Sequence, residues 1–276
     1  MLIKTGFELV FNTPAPTVML AMLFVHPERS ADLLGPERLQ TDPLLPYDEF
    51  VDSFGNRVAR LVTAPGRNRL FGESIVADAG RLDAANFDAP QLPVEQLPID
   101  TLPYLLSSRY CEVDELSDTA WRLFGTTTPG WARVQAICHW AHDHIEFGYQ
   151  HARPTKSACD VYGERKGVCR DYTHLAITMC RAMNIPARYA TGYLGDIGVP
   201  QLPFPMDFSA WFEVYLGDRW YTFDARHNAR RIGRIVMARG RDAVDTALTT
   251  SFGPAALESF RVWTDEYVAA PAMAPS

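Results

Sequence analysis

Apolar residues from Val168 onward follow the spacing of a helix that is buried on one face. They recur at Tyr172, Leu175, Ala176, Met179 and Met183. Gaps of three and four residues match the period of an α-helix. The predicted helix ends before Pro186, because a residue that precedes proline avoids helical backbone angles. Cys169 therefore falls in the first turn of this predicted helix.

The same spacing predicts two earlier helices, at residues 115–124 and 131–145. Beyond Pro186 the pattern changes to short runs rich in β-branched and aromatic residues, which indicate strands. The predicted strands are residues 187–193, 209–216, 219–223, 232–238 and 260–263. The second half of the chain is therefore predicted to contain a set of helices followed by a set of strands.

The N-terminal part of the chain has a different pattern. Short apolar segments at residues 7–11, 18–25 and 57–62 are interrupted by Asn, Pro and Gly, which indicates a β-rich region. A proline-spaced stretch at residues 89–103 can form neither a helix nor a central strand. We therefore predict a β-rich N-terminal domain at residues 1–95, a second domain at residues 104–268 and a disordered tail at residues 269–276.

Two of the predicted strands, residues 209–216 and 219–223, are separated only by Gly217-Asp218. A two-residue loop closes a tight β-hairpin and fixes the register of its strands. That register places Trp211 opposite Asp224, and it makes Ser209 the diagonal neighbour of Asp224 at roughly 7 Å. A side chain of imidazole length at position 209 would reach the carboxylate.

A cysteine at a helix start, followed by a strand position that lies diagonal to an aspartate, is the layout of a Cys-His-Asp acyl-transfer site. Unpaired N–H groups and the helix dipole favour negative charge, so we expect a depressed pKa for the Cys169 thiol. The alternative is that Cys169 is a small core residue of an apolar helix.

Charge and cysteine content narrow the class of protein. The 276-residue chain has a net charge of -7 and a pI near 5.5, which argues against nucleic acid or an anionic membrane as a partner. The longest apolar run, residues 18–25, is too short to span a bilayer, and no signal-peptide pattern frames it, so a cytoplasmic location is expected. The five cysteines contain no CxxC pair and are read as reduced thiols.

Several ordered blocks make the sequence resemble the bacterial transglutaminase-like proteins, cysteine peptidases related to papain in architecture. The blocks are GVCRDYTHL from Gly167, IPARY from Ile185, TGY from Thr191, AWFEVY from Ala210 and WYTFD from Trp220. The resemblance covers about residues 104–263. It implies an α+β fold, a transglutaminase-like (cysteine-proteinase) core with an antiparallel sheet behind a β-rich N-terminal domain. By position it implies that Cys169 is the nucleophile and Asp224 the orienting carboxylate.

Ser209 departs from the pattern of this family, which commonly has histidine directly before Ala-Trp in this strand. A serine hydroxyl cannot replace an imidazole as a base at neutral pH. His227 is the leading substitute, although its parity places it on the wrong face if the strand continues past Asp224. Asp207 and Glu213 share the face of Ser209 and are weaker candidates for the base, as solvated strand charges.

Other polar and aromatic side chains are candidates for contacts with the thiol, the substrate or a metal ion. His174 lies about 140° around the helix from Cys169 and should point away from it. Trp211, Ser209 and Tyr193 are the predicted substrate contacts, with buried sheet aromatics as the usual alternative for tryptophan. His139, His142 and Glu146 could be drawn as metal ligands, but polar residues on an outward helix face explain them better, so neither a metal nor a cofactor is expected.

We therefore expect thiol-dependent acyl chemistry on an amide bond through a Cys169 thioester, with a peptide or protein substrate, and with neither nucleic acid nor membrane as a partner. Hydrolysis by water and transfer to an amine both remain open. The alternative is a catalytically silent protein of the same fold that binds a peptide or protein partner, because Ser209 replaces the expected histidine.

Overall fold

A computed structural model describes residues 1–201 and 205–268 of the chain. Its N-terminal part is built from strands, which confirms the β-rich region. They are β1 (Leu2–Thr13), β2 (Val18–Ala21), β3 (Gln40–Asp42), β4 (Tyr47–Val51), β5 (Arg57–Val62) and β6 (Gly66–Ala77). The proline-spaced stretch, predicted to contain no helix, forms two short 3-10 helices, Val94–Gln96 and Ile99–Leu105. Each starts directly after a proline, a position at which the missing N–H costs no helix hydrogen bond. The domain boundary placed there stays a prediction.

The rest of the chain contains helices followed by strands, as the periodicity predicted. The elements are α1 (Val113–Phe124), α2 (Trp131–His144), β7 (Glu146–Phe147), α3 (Ala158–Glu164), β8 (Lys166–Gly167), α4 (Cys169–Ala182), β9 (Ala187–Leu194), β10 (Ser209–Leu216), β11 (Arg219–Phe223), β12 (Arg234–Gly240), β13 (Thr249–Ser251) and β14 (Ala256–Glu266). The pattern of apolar residues did not predict α3, whose start is fixed by a capping box between Ser157 and Asp160.

Three four-stranded sheets organise the molecule. Strands β9 to β12 form one antiparallel sheet in the order β11-β10-β9-β12, and α4 packs against it. The N-terminal strands form the other two sheets, in the orders β14-β1-β6-β3 and β13-β2-β5-β4. Each of these two sheets takes its edge strand, β14 or β13, from the C-terminal end of the described chain. The fold is α+β with an antiparallel core sheet, as expected.

The β10–β11 hairpin has the predicted register. Leu216 lies opposite Arg219 and Phe212 lies opposite Phe223, so Asp224 follows directly after the last paired residue of β11. Gly217 closes the turn with a φ of 61°, a left-handed conformation that glycine adopts without a steric penalty. The hairpin thereby holds Ser209 and Asp224 at the same end of the sheet.

One hydrophobic cluster joins the core sheet to the N-terminal sheets. Phe208, just before β10, packs its ring 6.5 Å from Phe7 of β1, 5.2 Å from Tyr193 of β9 and 5.7 Å from Phe260 of β14. Ile235 of β12 is fully buried in the same cluster. The strands on both sides of the proline-rich stretch therefore share one buried interface.

The start of α4 is fixed by its own side chains. The Asp171 carboxylate accepts a hydrogen bond from the Val168 N–H at 2.9 Å, which satisfies one of the unpaired amides of the first turn. The same carboxylate lies so close to Gly167 that a Cβ there would fall 2.7 Å from its oxygen. The Gly-Val-Cys-Arg-Asp motif is therefore a helix start in which glycine makes room for the cap.

Within residues 1–201 and 205–268, the helices are all too short or too polar to cross a membrane. The cytoplasmic location stays a prediction. The predicted disordered tail, residues 269–276, lies outside the described residues.

Candidate active site

Cys169 is the first residue of α4, where the sequence placed it, and its side chain is partly exposed. It lines a groove of about 720 Å³ together with Asp207, Ser209 and Ala210 from the start of β10. Among the five cysteines, Cys111, Cys138 and Cys180 are buried. Cys169 is therefore one of two thiols, with Cys159, that a reagent can reach without local unfolding.

The expected low pKa of this thiol is not found. Burial raises the pKa of Cys169 to about 11, although the Arg226 guanidinium and the Ala210 backbone amide act in the opposite direction. The expectation from the helix start was wrong, because burial disfavours the charged thiolate more than Arg226 and the Ala210 amide favour it. Cys169 in the resting protein is a neutral thiol that needs a base.

Asp224 and His227 form a carboxylate–imidazole pair. The His227 Nδ1 lies 2.8 Å from Oδ2 of Asp224, and the His227 backbone N–H donates to Oδ1 at 2.9 Å. Arg234 donates to the same Oδ2 at 2.8 Å and holds Asp83 of the N-terminal linker on its other side.

Arg234 and His227 together determine the charge of the Asp224 carboxylate. Burial alone would raise the pKa of Asp224, but Arg234 and His227 hold it well below its usual range. Because the carboxylate is ionised and can only accept, Nδ1 of His227 carries a hydrogen, and Nε2 is the ring nitrogen that can exchange a proton with another group. Nε2 is thus the basic atom of the pair.

His227 reaches Asp224 because β11 stops. The chain turns after Phe223, and the Asn228 N–H donates back to the Asp224 carbonyl at 2.8 Å. The parity that would have placed His227 on the wrong face applies only to a continuing strand. The sequence predicted His227 as the substitute base, and the turn brings its imidazole to the Asp224 carboxylate.

Ser209 borders both the groove of the thiol and the cavity of His227. It lines the groove of Cys169 and also a second cavity of about 220 Å³, whose wall includes His227, Arg226 and Tyr149. In the part of the chain that the structure describes, Cys169 makes no hydrogen bond to an imidazole. Three consecutive residues, Asp207, Phe208 and Ser209, border both cavities.

The two carboxylates that share the face of Ser209 differ in state. Burial raises the pKa of Asp207, which lies beside the thiol. Burial would also raise the pKa of Glu213, but Arg239 and Arg188 hold it below its usual range. Glu213 is locked in ion pairs with both arginines at 2.9 and 2.6 Å, so it is a structural ion and not a base.

Arg226 is a site residue whose role the sequence did not reveal. Its guanidinium stacks over the Phe147 ring at 4.0 Å, and Phe147 pairs with Gly167, two residues before Cys169. Its carbonyl lies 2.8 Å from Nδ1 of His142. Only the fold shows that Arg226 lies near enough to Cys169 to lower the pKa of its thiol. His142 is thereby occupied in holding the backbone beside the site.

Two of the three predicted substrate contacts, Trp211 and Tyr193, are buried and cannot touch a substrate. Trp211 is 1% exposed and packs with Ala190 and Val236, under the Arg234 guanidinium at 5.1 Å. Tyr193 is buried in the cluster that joins the sheets. Neither borders the groove or the second cavity. Sheet aromatics of this kind are core residues, and only Ser209 of the three lies at the site.

His174 and the candidate metal ligands do not form part of the thiol site. His174 is fully buried and stacks on Tyr110 at 5.0 Å, and its Nε2 accepts from the Ala243 N–H at 3.2 Å. This agrees with the angle predicted for it. Across residues 1–201 and 205–268 there is also no group of three His, Cys, Asp or Glu side chains that could hold a metal ion.

Comparisons with known proteins agree with the fold. Residues 118–225, which contain Cys169 and Asp224, match the transglutaminase-like superfamily. A crystal structure from Cytophaga hutchinsonii, named a "putative cysteine protease", is 30% identical, covers 100% of this chain and 94% of its own, and superposes with a TM-score of 0.83. An uncharacterised protein of Mycobacterium leprae is 26% identical over 117 residues, 41% of this chain.

The match to the Mycobacterium leprae protein covers 42% of that protein's length, less than half of it. The match to the Cytophaga hutchinsonii protein, in contrast, runs through both the β-rich region and the core. Together with the family match around the thiol, this full-length similarity identifies the chain as a member of the transglutaminase-like superfamily.

Proposed function

We propose that the protein catalyses thiol-dependent acyl chemistry on an amide bond, with Cys169 as the nucleophile. One observation carries the proposal. The partly exposed thiol of Cys169 opens on a groove, and Ser209 borders both this groove and the cavity that contains His227, the partner of Asp224. An ionised carboxylate that orients an imidazole is the arrangement that serves a nucleophile as its base.

Ser209 completes the proton path in this proposal. A hydroxyl both accepts and donates a hydrogen bond, so it can take the proton of the thiol while giving its own to Nε2 of His227. The result is a thiolate, an intact hydroxyl and an imidazolium beside the ionised Asp224. In this way a serine that cannot be a base still links the thiol to one.

The chemical steps then follow those of other thiol acyl transfers. The thiolate bonds to the carbonyl carbon, and the carbonyl oxygen takes the electron pair beside the positive charge of Arg226. The C–N bond breaks as the leaving amine takes the proton from His227, and a thioester remains on Cys169. Water or a second amine attacks that thioester, gives a proton to His227 and releases the sulfur. Water yields hydrolysis, and an amine yields acyl transfer.

A catalytically silent protein that binds a peptide or protein partner is the second candidate. The raised pKa of Cys169 favours it, since at pH 7 roughly one such thiol in ten thousand is ionised. The replacement of the expected histidine by Ser209 favours it too. Both candidates use the same groove, and they differ in whether the sulfur reacts.

Thiol labelling and trapping of the thioester test the proposal. We expect iodoacetamide at neutral pH to alkylate Cys169 faster than the other four cysteines, and a peptide with a fluorogenic C-terminal amide to leave an acyl group on Cys169 in denaturing mass spectrometry. His227→Ala should slow both reactions, because the thiol loses its base. Cys169→Ala should abolish turnover, and Cys159→Ala, at the other partly exposed thiol, should not.

Uniformly slow labelling of all five cysteines, with no acyl-enzyme, would establish the silent alternative. Preferential labelling that is unchanged in His227→Ala would keep the nucleophile and remove His227 as its base.

A further inference from the structure

The groove beside Cys169 is built by both halves of the fold. Its lining residues come from the start of α4, the start of β10 and the segment between Ala243 and Thr250, and also from β1 and β14. The N-terminal sheets therefore supply a wall of the groove into which the thiol opens, in addition to their share of the buried cluster.

That wall is apolar and continuous. Leu9 of β1 lies opposite Phe260 of β14, and Phe11 lies opposite Leu257, so each pair shares one face of the sheet. Side chains opposite each other on one face lie in contact, and these four all border the groove. Leu257 is 52% exposed and Phe260 is 38% exposed, so the wall is open to an incoming chain.

Charged groups are confined to the end of the groove near the thiol, and they already have partners. Arg153 pairs with Asp160 at 2.9 Å and with Glu164 at 2.7 Å. Arg170 pairs with Asp171 at 3.2 Å. Asp207 accepts a hydrogen bond from the Phe208 backbone N–H. Among the described residues that line the groove, Arg153, Arg170 and Asp207 are the charged ones, so the rest of its lining is uncharged.

The main chain at the border of the groove suits an extended peptide. Strands β13 and β14 each pair on one side only, so each is an edge strand within the described sheets. An edge strand presents N–H and C=O groups that can pair with an added strand. Thr249 and Thr250 of β13 border the groove, as do Leu257 and Phe260 of β14. The groove therefore has both edge-strand main chain and apolar side chains along its border, the two features that an extended peptide uses.

We propose that this groove binds an extended peptide segment with apolar side chains and presents its amide to Cys169. The inference rests on the proposed function and names its substrate class. A fatty acyl chain would use the apolar wall but would leave the edge strands without a role, so the peptide is the better match to both features.

Peptide affinity labels test the inference. Two chloroacetyl pentapeptides of equal length, one with Leu and Val side chains and one with Glu and Ser side chains, are compared on the intact protein, with iodoacetamide as the unguided reagent. We expect the apolar peptide to label Cys169 about ten-fold faster than the acidic peptide, because it buries apolar surface on the wall. A chloroacetyl alkylamine of similar apolar area is the lipid-like comparison.

Variants of the wall provide the controls. Leu257→Asp should lower the labelling rate of the apolar peptide several-fold relative to the iodoacetamide rate of the same variant. Leu257 is 52% exposed and lies on an edge strand, so the substitution is compatible with folding. Ile99→Asp, at an 85% exposed position outside the groove, should change neither rate.

Equal labelling by the two peptides, or an unchanged preference in Leu257→Asp, would overturn the inference while leaving the reactive thiol intact. Faster labelling by the alkylamine than by the apolar peptide would replace the peptide by a lipid-like substrate. Failure of iodoacetamide to favour Cys169 would instead count against the proposed function.

Discussion

At the scale of single residues, the reactivity of Cys169 depends on what surrounds the sulfur more than on where it lies along a helix. The helix start favours a thiolate, yet burial raises the pKa of the thiol to about 11. An adjacent imidazolium could reverse this balance, because an opposite charge in contact shifts a pKa by one to three units or so. Position 209 is where such a group would act.

Substituting Ser209→His should therefore activate the thiol. Ser209 borders both cavities, so the larger side chain has room, and its cationic form would lower the pKa of Cys169. We expect the pH profile of iodoacetamide labelling to move down by one unit or more, roughly a ten-fold faster reaction at neutral pH. Ser209→Asn, polar but not basic, is the control. A profile that stays in place would mean that position 209 does not face the sulfur.

Glu37 makes a second residue-scale prediction, far from the groove. Burial raises its pKa from 4.5 to about 7, although the Val25 N–H and Arg57 act in the opposite direction. The folded state holds the proton more tightly than the unfolded state. Its contribution is therefore complete below about pH 4.5 and is lost as pH rises to 7, by up to about 3 kcal/mol.

We expect the stability difference between the protein and Glu37→Gln to change over this pH range, as measured by urea unfolding. Glu49→Gln is the matched control, because Glu49 also pairs with Arg57, at 2.6 Å, but is one-third exposed. A difference that does not vary between pH 4.5 and 7 would show that Glu37 is ionised in the folded protein throughout.

At the scale of elements, two local structures build the site. The helix start of α4 is held by Asp171 packed against Gly167, and the β10–β11 hairpin ends where Asp224 follows Phe223. Both are local in sequence, which is why spacing alone predicted them. The His227 turn is also local, but Arg234, which donates to both Asp224 and Asp83, lies on β12 and is brought to the turn only by the tertiary fold.

Gly167→Ala should damage the helix start. An added Cβ would lie 2.6 Å from Cβ of Asp171, so the cap must move and the hydrogen bond to Val168 is lost, at a cost of about 1 kcal/mol or more. Gly163→Ala is the matched control four residues earlier, since nothing lies within 4 Å of its added Cβ. Thermal unfolding and the labelling rate of Cys169 measure the two effects. Equal melting temperatures for the two variants would contradict this account.

At the scale of the whole molecule, the two ends of the described chain are interleaved. Strand β1 pairs with β6 on one side and with β14 on the other, and Phe208 links these strands to the core sheet. A proline-rich stretch separates the N-terminal strands from the helices in sequence. The buried cluster joins them again in space, so the strands of the groove wall and the core sheet share one packed interface.

We therefore expect a single cooperative unfolding transition, with equal calorimetric and van't Hoff enthalpies. Val262→Ala in β14 removes buried contacts from the shared cluster and should lower the melting temperature of the entire transition. Leu44→Ala, at a position that is 90% exposed, should leave it unchanged. Hydrogen exchange that separates β6 from β9 into two transitions would show that the two parts unfold independently.

The sequence by itself determined the elements and their local order: the helix that begins at Cys169, the hairpin register and the β-rich N-terminal region. It did so because helical periodicity, two-residue turns and proline positions act over a few residues. The transglutaminase-like core was implied by the resemblance of several ordered motifs to that family, and the comparisons confirmed it. The tertiary structure decided the burial of Trp211 and Tyr193, the pKa of Cys169 and the partners of Asp224. These depend on which distant strands and arginines close around a side chain, and desolvation by such contacts leaves no trace in local spacing.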